Sequence, residues 1–179
     1  WSLRDDPALR REMKAAMADT GVRIGLGEGF RASKDEDVRA CAPDLDLMAE
    51  LGALRINAIC MEADMAMAKD KLVTIAEMTA ERGMQFTVEF FPSDGINCLD
   101  RAVDVVTHIG SLPRGERARV LLDTMHFFRT GGTMEQLKAL DPDLIGYCQL
   151  ADSELAPPHD NYFMDACFAR EVPGTGELP

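Results

Sequence analysis

The sequence predicts an α/β fold of the (β/α)8 barrel class, on three observations. Apolar strand-like runs alternate with amphipathic helix-like stretches, the alternation keeps an even pitch, and each strand-like run closes on a side-chain carboxylate or amide. Runs that are apolar throughout belong to strands buried on both faces, hence to a parallel sheet covered by helices. The runs begin near residues 22, 55, 85, 119 and 144, a spacing of roughly thirty residues, the size of one βα unit. An open doubly wound sheet is the rival arrangement. G-L-G-E-G-F, which follows the first run, lacks the spacing of a dinucleotide fingerprint, and the even pitch favours the barrel.

The elements follow in order. Asp6 caps a first helix, Pro7 suits its first turn, Leu9, Met13, Ala16 and Met17 recur at helical spacing, and Gly21 ends it. A strand over residues 22–26 runs into the Gly-rich G-L-G-E-G. The pattern then gives a helix over 44–51 and a strand over 55–60, a helix over 70–82 and a strand over 85–91, and a helix over 99–109. A loop with Pro113 and Gly115 leads to the strand 119–123. Thr133 and Gln136 form a capping box for the next helix, and a strand over 144–150 follows. These are about five βα units in a single partial TIM-barrel domain over residues 1–179. A complete barrel takes about 250 residues, so the first and last strands are expected to be missing: Trp1 opens in a polar loop, and Pro179 falls where a new helix and strand are due.

Composition narrows the function. Hydrophobic residues at 46% and charged residues at 28% describe a chain able to bury a core, while a net charge of −12 opposes a polyphosphate partner. The densest basic stretch, residues 114–119, reads as a solvated loop, so no nucleic-acid partner is expected. Five scattered cysteines without a C-x-x-C fit a reducing compartment. The charged first twenty residues hold no signal peptide, and no run is long enough to cross a bilayer. A cytoplasmic protein with no membrane partner is expected.

Barrel enzymes carry their chemistry at the C-terminal ends of the strands. Those ends hold Glu28, Glu62, Glu89, Asp123 and Gln149. Glu89 lies in F-T-V-E-F-F-P, where a carboxylate is costly to desolvate unless a cation meets it, either an arginine or a metal ion. In L-L-D-T-M-H-F, Asp123 ends a strand and His126 follows in the loop; the imidazole can bind a metal, hydrogen-bond a substrate oxygen, or be a satisfied core group. Gln149 offers a neutral ligand oxygen or a hydrogen bond across the barrel mouth, and Asp152 could orient a neighbouring ligand. Arg170 opens the loop R-E-V-P-G-T-G-E-L and can fork onto a hydroxylated or anionic substrate. Residues 153–167 read as a long loop suited to a lid. His108 and His159 read as surface residues.

Together, V-E-F-F-P, L-L-D-T-M-H-F, Q-L-A-D and R-E-V-P-G-T-G-E-L-P, in this order at successive strand ends, resemble the xylose isomerase-like TIM barrel family, specifically its sugar phosphate isomerase/epimerase group. The resemblance implies a divalent metal, Mn²⁺ or Mg²⁺ with Zn²⁺ as a further candidate, held by Glu89, Asp123 and Gln149. His126, Arg170, Glu62 and Glu28 would contact substrate, and Glu89 and His126 would be catalytic. The implied protein is a metal-dependent isomerase or epimerase of carbohydrate metabolism. It would act on a small sugar or other hydroxy-carbonyl compound through a metal-stabilised enediolate, with homo-oligomerisation left open. Alternatives are a 3-dehydroshikimate dehydratase-like lyase on the same barrel and a non-catalytic sugar-binding barrel or remnant. A fourth ligand, a Glu on the last strand, has no counterpart here. Gly95 stands where some ketose epimerases of the family carry a further Glu.

Overall fold

The structure, a computed structural model, describes residues 3–92, 95–112 and 118–179. Trp1, the turn at 113–115 and most of the basic stretch at 114–119 lie outside the described residues. Five strands, β1 (Gly27–Ala32), β2 (Arg55–Cys60), β3 (Gln85–Glu89), β4 (Arg119–Asp123) and β5 (Ile145–Gln149), pair in parallel in chain order. This is the partial barrel that the alternation predicts. The three central strands are mostly buried, whereas β5 at one edge is not.

Helices α1 (Pro7–Thr20), α2 (Ala42–Glu50), α3 (Met65–Ala80) and α4 (Leu99–Gly110) connect or precede the strands. On α3, Ala68, Leu72, Ile75, Ala76 and Thr79 are buried; on α4, Leu99, Ala102, Val105, Val106 and Ile109 are. Both sets fall on one helical stripe against the sheet. Leu72 is fully enclosed, so Leu72→Ala should cost about 2–5 kcal/mol, seen as a lower urea midpoint with an unchanged slope. By contrast α1 buries none of its residues; it is fixed by its Asp6 cap and by Arg10 and Lys14 reaching Glu50. No helix among the described residues is long and apolar enough to cross a membrane.

The structure corrects several expected boundaries. The first strand is not 22–26 but Gly27–Ala32, which skips register between Gly27 and Phe30. Gly29, at φ 92°, takes the positive angle that this irregularity needs, so glycines that read as a stop lie inside the strand. Ile24 still accepts a hydrogen bond from Leu54 N, so 22–26 runs alongside β2 without joining the ladder. Helix α3 begins at Met65 rather than 70, because the Asp64 carboxylate accepts the N–H groups of Ala66 and Met67. After β4 come α5 (Thr124–Arg129) and α6 (Met134–Ala139), the latter with the expected capping box. His126 therefore sits on a helix, not in a loop. Likewise the 153–167 segment holds all but the last residue of α7 (Tyr162–Phe168), started by the Asn161 side chain on Phe163 N.

Candidate metal centre

Glu89 ends β3 between Val88 and Phe90, both fully buried, and is itself 8% exposed. Its Oε2 accepts a 2.6 Å hydrogen bond from Asn57 Nδ2 on β2. Thr87 Oγ1 donates to Asn57 Oδ1, which fixes which way that amide points. Asn57 was not among the expected site residues; its one signal is a lone amide inside the strand R-I-N-A-I-C.

Asp123 ends β4 and caps α5, with Oδ1 accepting the His126 N–H at 3.0 Å. That cap swings His126 back over the strand ends. Its Nε2 lies 3.4 Å from Glu89 Oε1, and its Nδ1 lies 2.5 Å from the Tyr162 hydroxyl. Glu89, Asp123 and His126 are all buried and each offers a ligand atom within 4.8 Å of the others. Asp123 has no exposed surface, and Arg170 Nη1 donates to its Oδ2 at 2.6 Å. Arg170 thus meets one carboxylate, and among the described residues Glu89 is met by the Asn57 amide and the His126 imidazole. A buried carboxylate so placed retains a strong pull on a further cation.

Gln149 lies opposite Asp123 in the β4–β5 register, and its Nε2 donates to Glu28 Oε1 at 2.7 Å. The amide oxygen has no donor among the described residues and is the ligand atom it can offer. An open cavity of about 1220 Å³ is lined by Glu28, Asn57, Glu89, His126, Gln149, Tyr162 and Arg170, among others. Five of the expected residues thus share one mouth, with Asp123 beneath it.

Glu62 is not brought there. Its carboxylate pairs with Lys71 at 3.1 Å and accepts Asp64 N–H, and Lys71 also donates to the carbonyls of Ser33 and Lys34. The Lys71 ammonium, and after it the Asp64 amide, hold this carboxyl below the usual range. Glu62 fastens β2 to α3 and, through Lys71, to the loop after β1. An acidic strand end was a sound clue, but a lysine nine residues later answers it.

Asp152 orients the Arg170 loop. It exchanges two backbone hydrogen bonds with Glu171, and its carboxylate accepts the N–H groups of Ser153, Gly174, Gly176 and Leu178. Burial alone would raise its pKa; those four amides outweigh it and hold the carboxyl below its ordinary 3.8. A carboxyl depressed by folding stabilises the fold above its ordinary value, and that contribution is lost as pH falls through the folded value. The urea midpoint of Asp152→Asn should therefore fall below that of the unsubstituted protein at pH 7. The gap should narrow below about pH 4; a gap that stays constant would contradict this assignment. His159, expected at the surface, is about half exposed but ties its loop to α7, with Nδ1 2.6 Å from the buried Asp165. His108 is partly exposed on α4.

Comparison with known proteins bears on the whole chain. A family profile described as xylose isomerase-like TIM barrel matches residues 1–179. A search of curated proteins finds no match. Among solved structures, a xylose isomerase-like TIM barrel/4-hydroxyphenylpyruvate dioxygenase fusion protein is 22% identical, with 95% of this chain covering 28% of that one at a TM-score of 0.78. The IolI protein with a bound zinc atom is 18% identical, over 98% of this chain and 66% of its own, at 0.77. The probable 3-DHS dehydratase AsbF from Bacillus anthracis is 15% identical, over 91% and 61%, at 0.69. The chain spans less than two thirds of the length of each of these proteins.

Proposed function

The chain belongs to the xylose isomerase-like TIM barrel family, and from that premise we propose that the full-length protein is a divalent-metal-dependent isomerase or epimerase of sugars or sugar phosphates. The observation that carries this reading is the buried Glu89–Asp123–His126 group, whose ligand atoms lie within 4.8 Å of one another at the mouth of a cavity. The donor set fits a divalent ion: two carboxylates and a carboxamide oxygen suit Mg²⁺ or Mn²⁺, and zinc accepts such oxygens as well. Glu89, Asp123 and Gln149 would hold the ion, and the zinc in the IolI relative supports a divalent metal on this fold.

A bound ion would supply Lewis-acid stabilisation for the charge that develops when a proton leaves the carbon beside a carbonyl. The chain's own residues do the rest. Glu89, buried between Val88 and Phe90, takes the proton as general base. His126, whose Nε2 lies 3.4 Å from Glu89 Oε1, meets a substrate oxygen beside that carboxylate. Arg170, which lines the same mouth, donates to substrate hydroxyls or a phosphate, and the Glu28 carboxylate accepts from hydroxyls. Asn57 holds Glu89 in register by its 2.6 Å hydrogen bond.

Elimination of water from a hydroxy-carbonyl compound is a second reading, in line with the name of the AsbF relative. One observation weighs against the competing free-ketose epimerase. A Cβ at Gly95 would lie 2.1 Å from the carbonyl oxygen of Cys60, so the additional Glu of some ketose epimerases has no room there. The deciding experiment incubates the full-length protein in D₂O with aldoses, ketoses, their phosphates and 3-dehydroshikimate, with and without Mn²⁺. Metal-dependent deuterium uptake next to the carbonyl supports the isomerase reading. Loss of water selects the lyase, and neither result on any compound removes the enzymatic reading.

A further inference from the structure

Glu28 and Gln149 come from the two edge strands of the sheet, β1 and β5, and stand 121 positions apart in the chain. Even so, Gln149 Nε2 donates to Glu28 Oε1 at 2.7 Å, a bond that spans the mouth of the cavity. We propose that Glu28 is a positioning residue: it holds the amino end of the Gln149 carboxamide and so commits the oxygen end to the divalent ion. The inference rests on the metal reading of the site and adds how a neutral ligand is kept facing the right way.

Strand β1 is built to deliver this carboxylate. Gly27 pairs with Ile56 and Phe30 with Ala58, so Glu28 and Gly29 together stand opposite the single residue Asn57. Two residues against one make a bulge, a device that re-aims a side chain. On one face, Gly27 packs so closely that an added Cβ would meet Met48 Sδ at 2.9 Å, while Phe30 and Ala32 join the buried core. Glu28 is left to the other face, where Asn57 and Glu89 line the cavity with it. Gly29 takes up the extra residue at a φ of 92°.

The chemistry of an amide explains why Gln149 needs such a partner. Its oxygen accepts and can bind a cation, while its nitrogen only donates, and the two ends are close in size. Asp123 stands beside Gln149 in the β4–β5 register, and Glu89 lines the same cavity. Both carboxylates accept hydrogen bonds, so without a rival they would draw the amino end toward themselves and turn the oxygen away. Glu28 is that rival, placed on the far edge of the sheet. The main chain next to Gln149 is held separately. Thr124 Oγ1 donates to the Ala151 carbonyl at 2.7 Å and accepts the Ala151 N–H at 2.9 Å. Backbone and side chain of the ligand are thus fixed from two directions. Oε2 of Glu28 has no donor among the described residues and stays available to a substrate hydroxyl.

The test is Mn²⁺ affinity, measured by calorimetry on the full-length protein and on variants of the pair. Glu28→Ala removes the acceptor and should weaken Mn²⁺ binding about tenfold, the lower end of what an outer hydrogen-bond partner contributes to metal affinity. Glu28→Gln keeps an acceptor oxygen at the same reach without the charge and should recover most of that loss. In a Gln149→Ala background, Glu28→Ala should weaken binding no further, because a residue that acts through another has no effect once the other is gone. Glu28 is exposed, so these replacements leave the core untouched. Glu28→Ala binding Mn²⁺ as tightly as the parent would overturn the proposal. So would Glu28→Gln as weak as Glu28→Ala, which would make Glu28 a charge and not a positioner, or losses that multiply in the double variant. A parent that binds no Mn²⁺ removes the metal reading itself, whereas these outcomes on a parent that binds remove only the part given to Glu28.

Discussion

Glu89→Gln in the full-length protein should reduce metal-dependent α-proton exchange by about a thousandfold, within the range that a general base contributes, while leaving the fold at least as stable. The two effects have one cause. Glu89 is a charge held almost out of water, met by one amide and one imidazole. Glutamine keeps its shape and can still meet Asn57, but it removes the desolvated charge, the proton acceptor and an anionic ligand together. Mn²⁺ affinity should fall by at least about tenfold, or 1.4 kcal/mol. Urea unfolding without metal should show a midpoint equal to or above that of the parent. Stability gained at the expense of function is the mark of a functional charge. A midpoint clearly lowered, with exchange retained, would make Glu89 a structural residue.

Asp123 should behave in the opposite way, because it serves the fold and the site at once. Its Oδ1 caps α5 and its Oδ2 pairs with Arg170. Losing a helix cap costs about 0.5–2 kcal/mol. Breaking a buried ion pair from one side costs about 3–5 kcal/mol where the remaining charge stays buried. Arg170 retains 31% of its side-chain exposure and can return to water, so the lower end, about 3 kcal/mol, is expected for the pair. Asparagine restores the cap but not the charge. Asp123→Ala should therefore be less stable than Asp123→Asn by about 1 kcal/mol, while both lose Mn²⁺ binding. Thermal or urea unfolding beside metal titration separates the two contributions. Equal stability of the two variants would mean that the cap contributes nothing.

Much of this was legible in the chain. Alternating apolar runs and capped helices led to a partial parallel barrel because burial on both faces leaves an unbroken apolar imprint. Glu89 and Asp123 were legible for the complementary reason, as single charges closing runs that water does not reach. That Glu62 pairs with Lys71 and does not line the shared cavity was not legible, because a chain with 31 acidic residues offers many strand-end carboxylates, and Lys71 lies on α3, which must dock on β2 for the two to meet. The first strand was displaced because glycine marks both a turn and an irregular strand; at Gly27 an added Cβ would lie 2.9 Å from Met48 Sδ, a packing constraint that no local pattern records. Asn57 and Tyr162 were missed for related reasons. One is a lone polar residue in a buried strand. The other depends on a short helix folding back over His126, 36 residues earlier, a long-range event without a periodic signature.

The decisive measurement is anomalous diffraction from crystals of the full-length protein grown with Mn²⁺. One strong peak within coordination distance of carboxylate oxygens of both Glu89 and Asp123, and of the Gln149 amide oxygen, is the expected result. A peak elsewhere, or none at this site while Arg170 stays on Asp123 and His126 on Glu89, would contradict a shared divalent ion, and the proposed isomerase with it.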